Sequence, residues 1–175
     1  MQNTEQRPVL TTERLVLRRP QASDIPAIVD IVGDLRVSRY LARIPHPYGE
    51  VDGRFFIDEI VPHELVWALT LRTSGQLVGS AGLSPTDQNE VAELGYYLAP
   101  TQWGLGFATE ATRAIVDYGF KVAGLTSITA GYFAGNPASG RVLAKLGFVE
   151  TGRTERPCLA TGRIEPSVEM RLDRV

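Results

Sequence analysis

The sequence predicts an α/β (α+β mixed sheet) protein: a central mixed, mostly antiparallel sheet of about six or seven strands with about four helices on both faces. Three apolar segments with short turns between them are typical of an antiparallel meander, and they span 66–71, 77–83 and 94–98. A helical pattern over about 106–122 then leads to another apolar segment at 127–133. A strand that returns after a helix lies parallel to the strand before it, so the sheet is predicted to be mixed.

Length and composition limit the possible classes of protein. With 175 residues the chain can bury a core without metal or disulfide staples, and we expect one domain over 1–175 with residues 1–8 as a flexible tail. The net charge of −2 gives no basic excess, so no nucleic-acid partner is expected. The single cysteine, Cys158, cannot form an internal disulfide, and no apolar run approaches the length of a membrane span. We therefore expect a cytoplasmic protein without a membrane partner.

The first third of the chain is predicted to form a strand and two helices. Residues 12–18 alternate between polar and apolar side chains, which indicates a strand. Ser23 is expected to cap the first helix. A loop region follows over 34–50, and a second helix is expected from about residue 50 to 61, where Pro62 helps to end it.

The last third of the chain is predicted to contain a helix and two strands. Asn136 is expected to cap the helix with Pro137 at its first position, and Gly147 to end it. The strands are expected at 148–153 and 168–172. The segment between them contains prolines and glycines without a regular pattern, so no element is predicted there.

The connection between the third meander strand and the following helix contains two glycines, Gly104 and Gly106. The first turn of a helix leaves its N–H groups unpaired and carries partial positive charge, and glycine allows a phosphate to approach the backbone closely. The sequence does not fit two other phosphate-binding loops. A P-loop needs Lys-Ser/Thr where this chain has Phe107 and Ala108, and a dinucleotide fingerprint needs a third small residue where it has Thr109.

Two longer motifs resemble those of the GCN5-related N-acetyltransferase (GNAT) superfamily. Residues 102–108, QWGLGFA, resemble its Q/R-x-x-G-x-G/A pyrophosphate loop, and residues 136–148, NPASGRVLAKLGF, resemble its second signature. The opening TERLVLR at 12–18 is similar to the branch that includes the ribosomal-protein alanine/serine N-acetyltransferases. The resemblance covers roughly residues 10 to 172. It is specific for the superfamily and not for the acceptor.

The resemblance implies transfer of an acetyl group from acetyl-CoA to a primary amine, without a metal. The acceptor would be a protein N-terminus or a small molecule such as an amino acid, a polyamine or an amine drug. A non-catalytic acyl-CoA-binding regulator is the alternative from another class. The resemblance also implies that the central strand carries a bulge and splays from the next parallel strand, which leaves a gap for the pantetheine arm. Both a monomer and a homodimer remain open.

The resemblance assigns acetyl-CoA binding to the glycine loop and to the second motif, chiefly through backbone N–H groups. The expected cofactor-binding residues are Tyr97, Leu98, Gln102, Trp103, Gly104, Leu105, Gly106, Phe107, Ala108, Thr109, Asn136, Ser139 and Lys145. Asn136 is also expected to cap its helix, and Lys145 is expected either to pair with a cofactor phosphate or to be solvated at the surface. Glu110, in the first helical turn, is expected to interact favourably with the helix dipole rather than to act in catalysis.

Direct attack by an amine requires a group that accepts its proton and a donor for the leaving thiolate, but no enzyme nucleophile. Glu93 on the central strand and His46 in the loop before the second helix are candidate bases. Ser139 is the candidate acid, because it follows Asn136 by three residues on the helix face that would look back at the thioester. Many relatives carry a tyrosine for this role further along the helix, where this chain has none. Each residue also has an interpretation without a catalytic role: Glu93 as a charge at the strand edge, His46 as a surface histidine, and Ser139 as a polar helix residue. Glu165 and Glu169 stand near positions where relatives often have an acid and then a tyrosine, so Glu169 is a further candidate in the acceptor site.

Overall fold

A computed structural model of the chain describes residues 7–175, and within this range eight strands form one sheet. The strands are β1 (Leu10–Thr11), β2 (Leu15–Arg18), β3 (Leu65–Leu71), β4 (Leu77–Pro85), β5 (Val91–Leu98), β6 (Ser127–Phe133), β7 (Val149–Cys158) and β8 (Arg163–Asp173). Their order in the sheet is β1-β2-β3-β4-β5-β6-β8-β7. Among these eight strands of residues 7–175, only β5 and β6 are parallel neighbours. The mixed, mostly antiparallel sheet is confirmed, with slightly more strands than predicted.

Helices cover both faces of the sheet, as predicted. Within the described residues the α-helices are α1 (Ile25–Val32), α2 (Leu35–Ser38), α3 (Glu50–Phe55), α4 (Phe107–Lys121) and α5 (Pro137–Lys145). The larger core lies between the sheet and α4 with α5, and a smaller core lies under α1 and α2 on the other face. None of the helices in residues 7–175 is long and apolar enough to span a membrane.

The described chain begins with residues that are anchored to β3 and the segment before it. The buried Arg7 guanidinium donates hydrogen bonds to backbone carbonyls of Val61, Glu64 and Val66. The Trp67 indole N–H donates to the Pro8 carbonyl at 2.9 Å. Residues 1–8 were expected to be a loose tail, and Arg7 and Pro8 differ from that expectation because these carbonyls and the indole hold them. Residues 1–6 of the expected tail lie outside the described residues.

The entry into α1 differs from the prediction. Ser23 lies in a short 3-10 turn, Ala22–Asp24, and Asp24 rather than Ser23 directly precedes the helix. The Asp24 carboxylate pairs with Arg18 at 2.7 Å and accepts the Gln21 N–H at 2.8 Å. Burial alone would raise the pKa of Asp24, but these hydrogen bonds hold it below its usual value. A largely buried ion pair therefore fixes α1 to β2.

The second predicted helix begins at Glu50 as expected, but its regular α-helical part is shorter than predicted. It ends at Phe55, and Phe56–Ile60 continue as a π-helical turn before Pro62. Packing at its start is close, because a Cβ on Gly53 would lie 2.8 Å from Ile25 Cγ2. The glycine thus allows α3 to lie directly against the beginning of α1.

The last two strands are longer than predicted and form a hairpin that includes the segment left unassigned from the sequence. Pro157 is tolerated because β7 is the edge of the sheet and has a neighbouring strand on one side only. Pro166 pairs with Glu155 of β7 but lies beyond the last residue that pairs with β6. Gly162, with φ +66°, lies in the connecting turn.

Strands β5 and β6 pair at only three positions, Val91 with Ser127, Ala92 with Ile128 and Glu93 with Thr129. Beyond Glu93, β5 continues beside β4, and β6 continues beside β8. Among the described strands, the facing edges of β5 and β6 then have no partner, and this splay matches the one that the family resemblance implied. The implied bulge is not found in the β4–β5 pairing, which has no register shift. Register shifts lie instead between β3 and β4 at Leu69/Thr70 and between β7 and β8 at Glu150/Gly152.

Candidate active site

The gap between β5 and β6 has a different set of side chains on each side. Side chains alternate along a strand, so Ala92, Leu94 and Tyr96 face α4 and α5, whereas Glu93 and Tyr97 face the α1 side. Gly95, between them, is exposed, and a Cβ built there would meet no atom within 4 Å. The middle of the gap is therefore open.

The glycine loop lies between the end of β5 and the start of α4. Gly104 and Gly106 have φ values of +74° and +84°, which residues other than glycine rarely adopt. Gly106 is the N-cap of α4. A Cβ on Gly104 would meet nothing within 4 Å, so the loop backbone is open to a ligand. The first N–H groups of α4 have no acceptor within the helix. This geometry fits a phosphate group held by backbone N–H groups.

The side chains of the loop fix its position against β5 and the core. The Trp103 indole N–H donates to the Leu98 carbonyl at 3.0 Å, which satisfies a backbone group at the end of β5. Phe107 is buried in the larger core, whereas Leu105 and Trp103 are exposed. The Gln102 N–H donates to Ala99 in the short turn that precedes the loop. These contacts place a partly exposed indole beside the gap.

A groove of about 540 Å³ runs along α4 from the glycine loop to α5. It brings Gly106 and Thr109 together with Lys145, as the sequence predicted for a cofactor site. It also contains Arg113, which sequence reasoning missed. The available signal was spacing, because Arg113 lies four residues after Thr109 and hence on the same face of α4. Two cationic residues, Arg113 and Lys145, therefore line a groove next to the glycine loop. The same groove is also lined by three acidic residues, Glu13, Glu110 and Asp117.

Ser139 lies on the α4 side of the gap, where it contacts a tyrosine of β5. The Tyr96 hydroxyl lies 2.7 Å from Ser139 Oγ and 3.1 Å from the Ser139 carbonyl oxygen. Asn136 is the N-cap of α5, as predicted, and its side-chain oxygen accepts the Ser139 N–H at 3.4 Å. Burial raises the pKa of Tyr96 to about 12, so its hydroxyl stays protonated at neutral pH. Sequence reasoning missed this pair, because Tyr96 and Ser139 are 43 residues apart in the chain.

Glu93 lies on the opposite side of the gap and is bound by an arginine. Arg156 Nη1 donates to Glu93 Oε1 at 2.7 Å, while its Nε and Nη2 donate to the Glu169 carboxylate at 3.0 and 2.6 Å. The hydrogen bonds with Glu169, and then those with Glu93, raise the pKa of Arg156 above its usual value. Gly131 of β6 makes room for the guanidinium, since a Cβ there would lie 2.8 Å from it. Arg156 was missed because its segment could not be placed from the sequence.

Further charges extend this group across the same face of the sheet. Ser84, the cross-strand partner of Glu93, donates to Glu64 at 2.6 Å, and Arg43 pairs with Glu64 at 2.9 Å. We call Glu64, Arg43, Glu93, Arg156 and Glu169 the charge row. Its three carboxylates and two guanidiniums leave one excess negative charge. A cavity of about 40 Å³, lined by Tyr40, Ala42, Gly131, Tyr132, Phe133, Arg156 and Ser167, adjoins its Arg156 end.

Two further residues that the sequence proposed for the site, His46 and Tyr97, differ in their surroundings. His46 is exposed, and within the part of the chain that the structure describes it makes no hydrogen bond or ion pair. Tyr48 and Tyr97 belong to the smaller core, and burial raises the pKa of Tyr97 above its usual value. No group of three or more histidine, cysteine or acidic side chains among residues 7–175 is arranged to hold a metal ion.

Cys158 packs inside the protein and joins two loop regions. Its buried Sγ lies 3.5 Å from the Arg39 carbonyl oxygen, and the next residue, Leu159, donates its N–H to the Ala42 carbonyl at 3.2 Å. The β7–β8 hairpin is thereby tied to the segment 38–42. The thiol packs against this segment and is not placed in the gap, where a nucleophile would have to lie.

Comparison with known proteins agrees with this geometry. The family profile described as "Acetyltransferase (GNAT) domain" matches residues 14–149. An uncharacterized N-acetyltransferase of Bacillus subtilis, YoaA, is 32% identical over 158 residues, which cover 83% of this chain and 85% of that protein.

Solved structures share the fold. A ribosomal-protein-S5-alanine acetyltransferase from Vibrio fischeri has a TM-score of 0.82 at 20% identity and covers 95% of this chain and 97% of its own. A spermidine N-acetyltransferase from Vibrio cholerae, in complex with CoA and spermine, has a TM-score of 0.79 at 22% identity, with 91% and 95% covered. Together with the profile and the relative, they lead to one conclusion: the chain belongs to the GNAT family and is an acetyltransferase, of the class that uses acetyl-CoA and acts on amines.

Proposed function

We propose that this enzyme transfers the acetyl group of acetyl-CoA to a primary amine that has no carboxylate beside it, with the α-amine of a polypeptide as the first candidate. The observation that carries the proposal is the gap between β5 and β6. A phosphate-binding loop lies at one end of this gap, and ionisable side chains flank it on both sides.

The cofactor side of the proposal uses the loop and the groove. Acetyl-CoA supplies an acetyl group that is activated as a thioester. The chain holds phosphates with the N–H groups at the start of α4, and Arg113 and Lys145 add positive charge in the adjacent groove. The unpaired edges of β5 and β6 offer N–H and C=O groups to an arm that contains amides. The proposed binding residues are those predicted from the sequence, with Arg113 added.

Glu93 is the proposed base. It lies where the strands part, and its side chain is 38% exposed, so an amine and water can reach it. Arg156 holds Oε1, whereas Oε2 has no hydrogen-bond partner among residues 7–175 and remains open to a proton from the acceptor amine. Arg156 thus orients the carboxylate without occupying both oxygens. His46 and Glu169 are the other candidates.

Ser139 is the proposed acid, acting together with Tyr96. Either hydroxyl can donate in the 2.7 Å contact between them. When Tyr96 donates to Ser139 Oγ, the Ser139 proton is free to point into the gap and to protonate a leaving thiolate. The two hydroxyls lie on the face opposite Glu93. The proton acceptor and the proton donor therefore flank the gap without contacting each other.

The charge row supports the choice of acceptor. Both of its guanidiniums are already bound by carboxylates, and one negative charge is in excess. Such a surface attracts an ammonium group and repels a carboxylate next to it. Free amino acids are therefore disfavoured, whereas a polypeptide N-terminus and a polyamine both fit. The opening at 12–18, which resembles the ribosomal-protein branch, favours the polypeptide, and the acidic excess keeps a polyamine as the second candidate.

An acceptor series tests the function directly. With acetyl-CoA present, release of free thiol is followed with an alanine-initiated peptide, alaninamide, spermidine and free alanine. We expect turnover with the peptide and alaninamide, and a kcat/KM for free alanine at least about tenfold lower, since a repulsion of about 1.4 kcal/mol is enough for that ratio. The absence of acetyl-CoA binding in calorimetry, together with no thiol release for any amine, would contradict the whole proposal.

Gly104→Ala tests the loop, with Gly75→Ala as a matched control. Both glycines have φ +74°, and a Cβ would meet nothing within 4 Å at either site, so both variants should lose similar stability, about 1 kcal/mol, through backbone strain. Only Gly104→Ala should weaken acetyl-CoA binding measured by calorimetry, because its Cβ enters the space next to the loop N–H groups. If Gly104→Ala binds acetyl-CoA as tightly as the Gly75→Ala protein, the loop is only a turn.

Glu93→Gln tests the base, with Glu169→Gln as its control, because both carboxylates bind Arg156. We expect Glu93→Gln to lower kcat/KM by at least ~10²-fold, since glutamine cannot accept the amine proton. Glu169→Gln should have a much smaller effect in steady-state assays with the same acceptor. Equal losses in the two variants would assign the effect to Arg156 and its neighbours rather than to proton transfer.

Ser139→Ala and Tyr96→Phe test the acid, and Tyr132→Phe removes a hydroxyl from the neighbouring strand as a control. Ser139→Ala should reduce kcat by about 10²-fold or more with little change in cofactor affinity, because the thiolate leaves unprotonated. Tyr96→Phe should cause a smaller loss in the same direction, and Tyr132→Phe should behave like the unmodified enzyme. Unchanged turnover in Ser139→Ala would make Ser139 only a polar residue of α5.

A further inference from the structure

The turn between β1 and β2 contacts the glycine loop directly. Arg14 Nη1 donates to the Leu105 carbonyl at 2.9 Å. The guanidinium also lies over the Phe107 ring, with Cζ 4.3 Å from the ring centroid. Its Nη2 is close to the loop, since a Cβ on Gly106 would lie 3.4 Å from it. One arginine side chain thus contacts Leu105 and Phe107 of the loop and lies close to Gly106 between them.

Glu110 in the first turn of α4 holds this arginine in place. Its carboxylate accepts hydrogen bonds from Arg14 Nε at 2.7 Å, from the Arg14 backbone N–H at 2.8 Å and from the Thr12 hydroxyl at 2.6 Å. Burial alone would raise the pKa of Glu110, but these bonds hold it below its usual value, so the carboxylate is ionised at neutral pH.

The turn is itself fixed to the sheet. Arg72 donates to the carbonyls of Thr12 and Glu13 at 3.1 and 2.9 Å, and its backbone N–H donates to the Arg14 carbonyl at 3.0 Å. Arg14 therefore extends from a braced turn rather than from a loose loop. Its contact with Leu105 can hold the glycine loop in one conformation.

The contact with Leu105 orients the next peptide N–H. In a trans peptide the C=O and the following N–H point in opposite directions. Holding the Leu105 carbonyl toward Arg14 therefore turns the Gly106 N–H away from it. The conformation of the glycine loop is thus determined partly by a side chain from residue 14, outside the motif itself.

The negative charge of Glu110 is unfavourable next to a phosphate site, and Arg14 compensates it. Its carboxylate lines the same groove as Gly106, Thr109 and Lys145. An unpaired carboxylate there would repel the phosphates proposed to bind at the start of α4. The ion pair with Arg14 compensates this charge next to the loop.

We propose that Arg14 and Glu110 act as one positioning unit for the phosphate-binding loop: Arg14 sets the conformation of the loop and masks the charge of Glu110, and Glu110 keeps Arg14 in place. This inference rests on the proposed cofactor role of the loop. It also gives a physical role to the TER sequence at 12–14, which the fold and the chemistry of the gap leave unexplained.

The test measures CoA binding by calorimetry, together with pantetheine, which lacks the phosphates, by ligand-observed NMR. Arg14→Met should raise the Kd for CoA at least about tenfold, because it removes a charged hydrogen bond and exposes a carboxylate. Its effect on pantetheine should stay within about twofold. Lys121→Met, which removes one positive charge at the other end of α4, is the control and should leave both Kd values unchanged.

Two further variants separate the unit from general damage to the fold. Arg14→Met/Glu110→Gln should regain a clear part of the CoA affinity lost in Arg14→Met, because the unmasked carboxylate is gone. Arg14→Lys should bind CoA more weakly than the unmodified protein, since lysine lacks the planar fork that spans Leu105 and Glu110. If Arg14→Met does not fold, Glu110→Gln alone tests the masking. The glutamine amide oxygen can still accept a hydrogen bond from Arg14 and keep it in place, whereas the negative charge is gone, so the CoA affinity should be equal to or higher than that of the unmodified protein.

Three results would overturn the inference: equal CoA affinity in Arg14→Met, equal losses for CoA and pantetheine, or no recovery in the double variant. A drop in CoA affinity in Glu110→Gln would overturn the masking role. Each of these results presupposes that the unmodified protein binds CoA. If it does not, the proposed function fails, and that outcome is visible in the first titration.

Discussion

The early parting of β5 and β6 is the constraint on which the rest of the site depends. After Glu93 and Thr129 the two strands share no ladder, yet each keeps its other neighbour, so the sheet stays intact while two backbone edges face each other unpaired. Because α4 connects the end of β5 to the start of β6, the glycine loop must begin where the gap is widest. The same divergence therefore creates the gap and places the glycine loop at its end.

Strand alternation then divides the chemistry between two faces. Tyr96 belongs to the face covered by α4 and α5, and there it meets Ser139; Glu93 belongs to the other face, and there it meets Arg156. If β5 slipped by one residue in register, these side chains would exchange faces. The continuous β4–β5 pairing, without a register shift, keeps the proposed proton donor and acceptor on opposite sides of the gap.

Local rules predicted much of this arrangement, and long-range contacts account for what they missed. The glycine loop, the periodicity of α4 and the Asn136 cap follow from residues that are close in sequence, and each was predicted. The pairs Tyr96–Ser139, Glu93–Arg156 and Arg14–Glu110 join residues 43, 63 and 96 positions apart. No spacing rule links them, because they depend on strand register. The longer β7–β8 hairpin was missed because proline and glycine suggest a loop, whereas an edge strand tolerates them.

The Cys158 contact has a consequence for loop exchange between related enzymes. Its thiol packs against backbone carbonyls of 38–42, and Leu159 is hydrogen-bonded to Ala42. The hairpin tip and that segment therefore have complementary packing surfaces. Arg156 lies two residues before Cys158, so the same packing also positions the guanidinium that binds Glu93. Grafting either segment alone would leave a buried thiol facing foreign backbone and would shift the guanidinium. The two segments are therefore one transplantable module, and they should be exchanged as a pair.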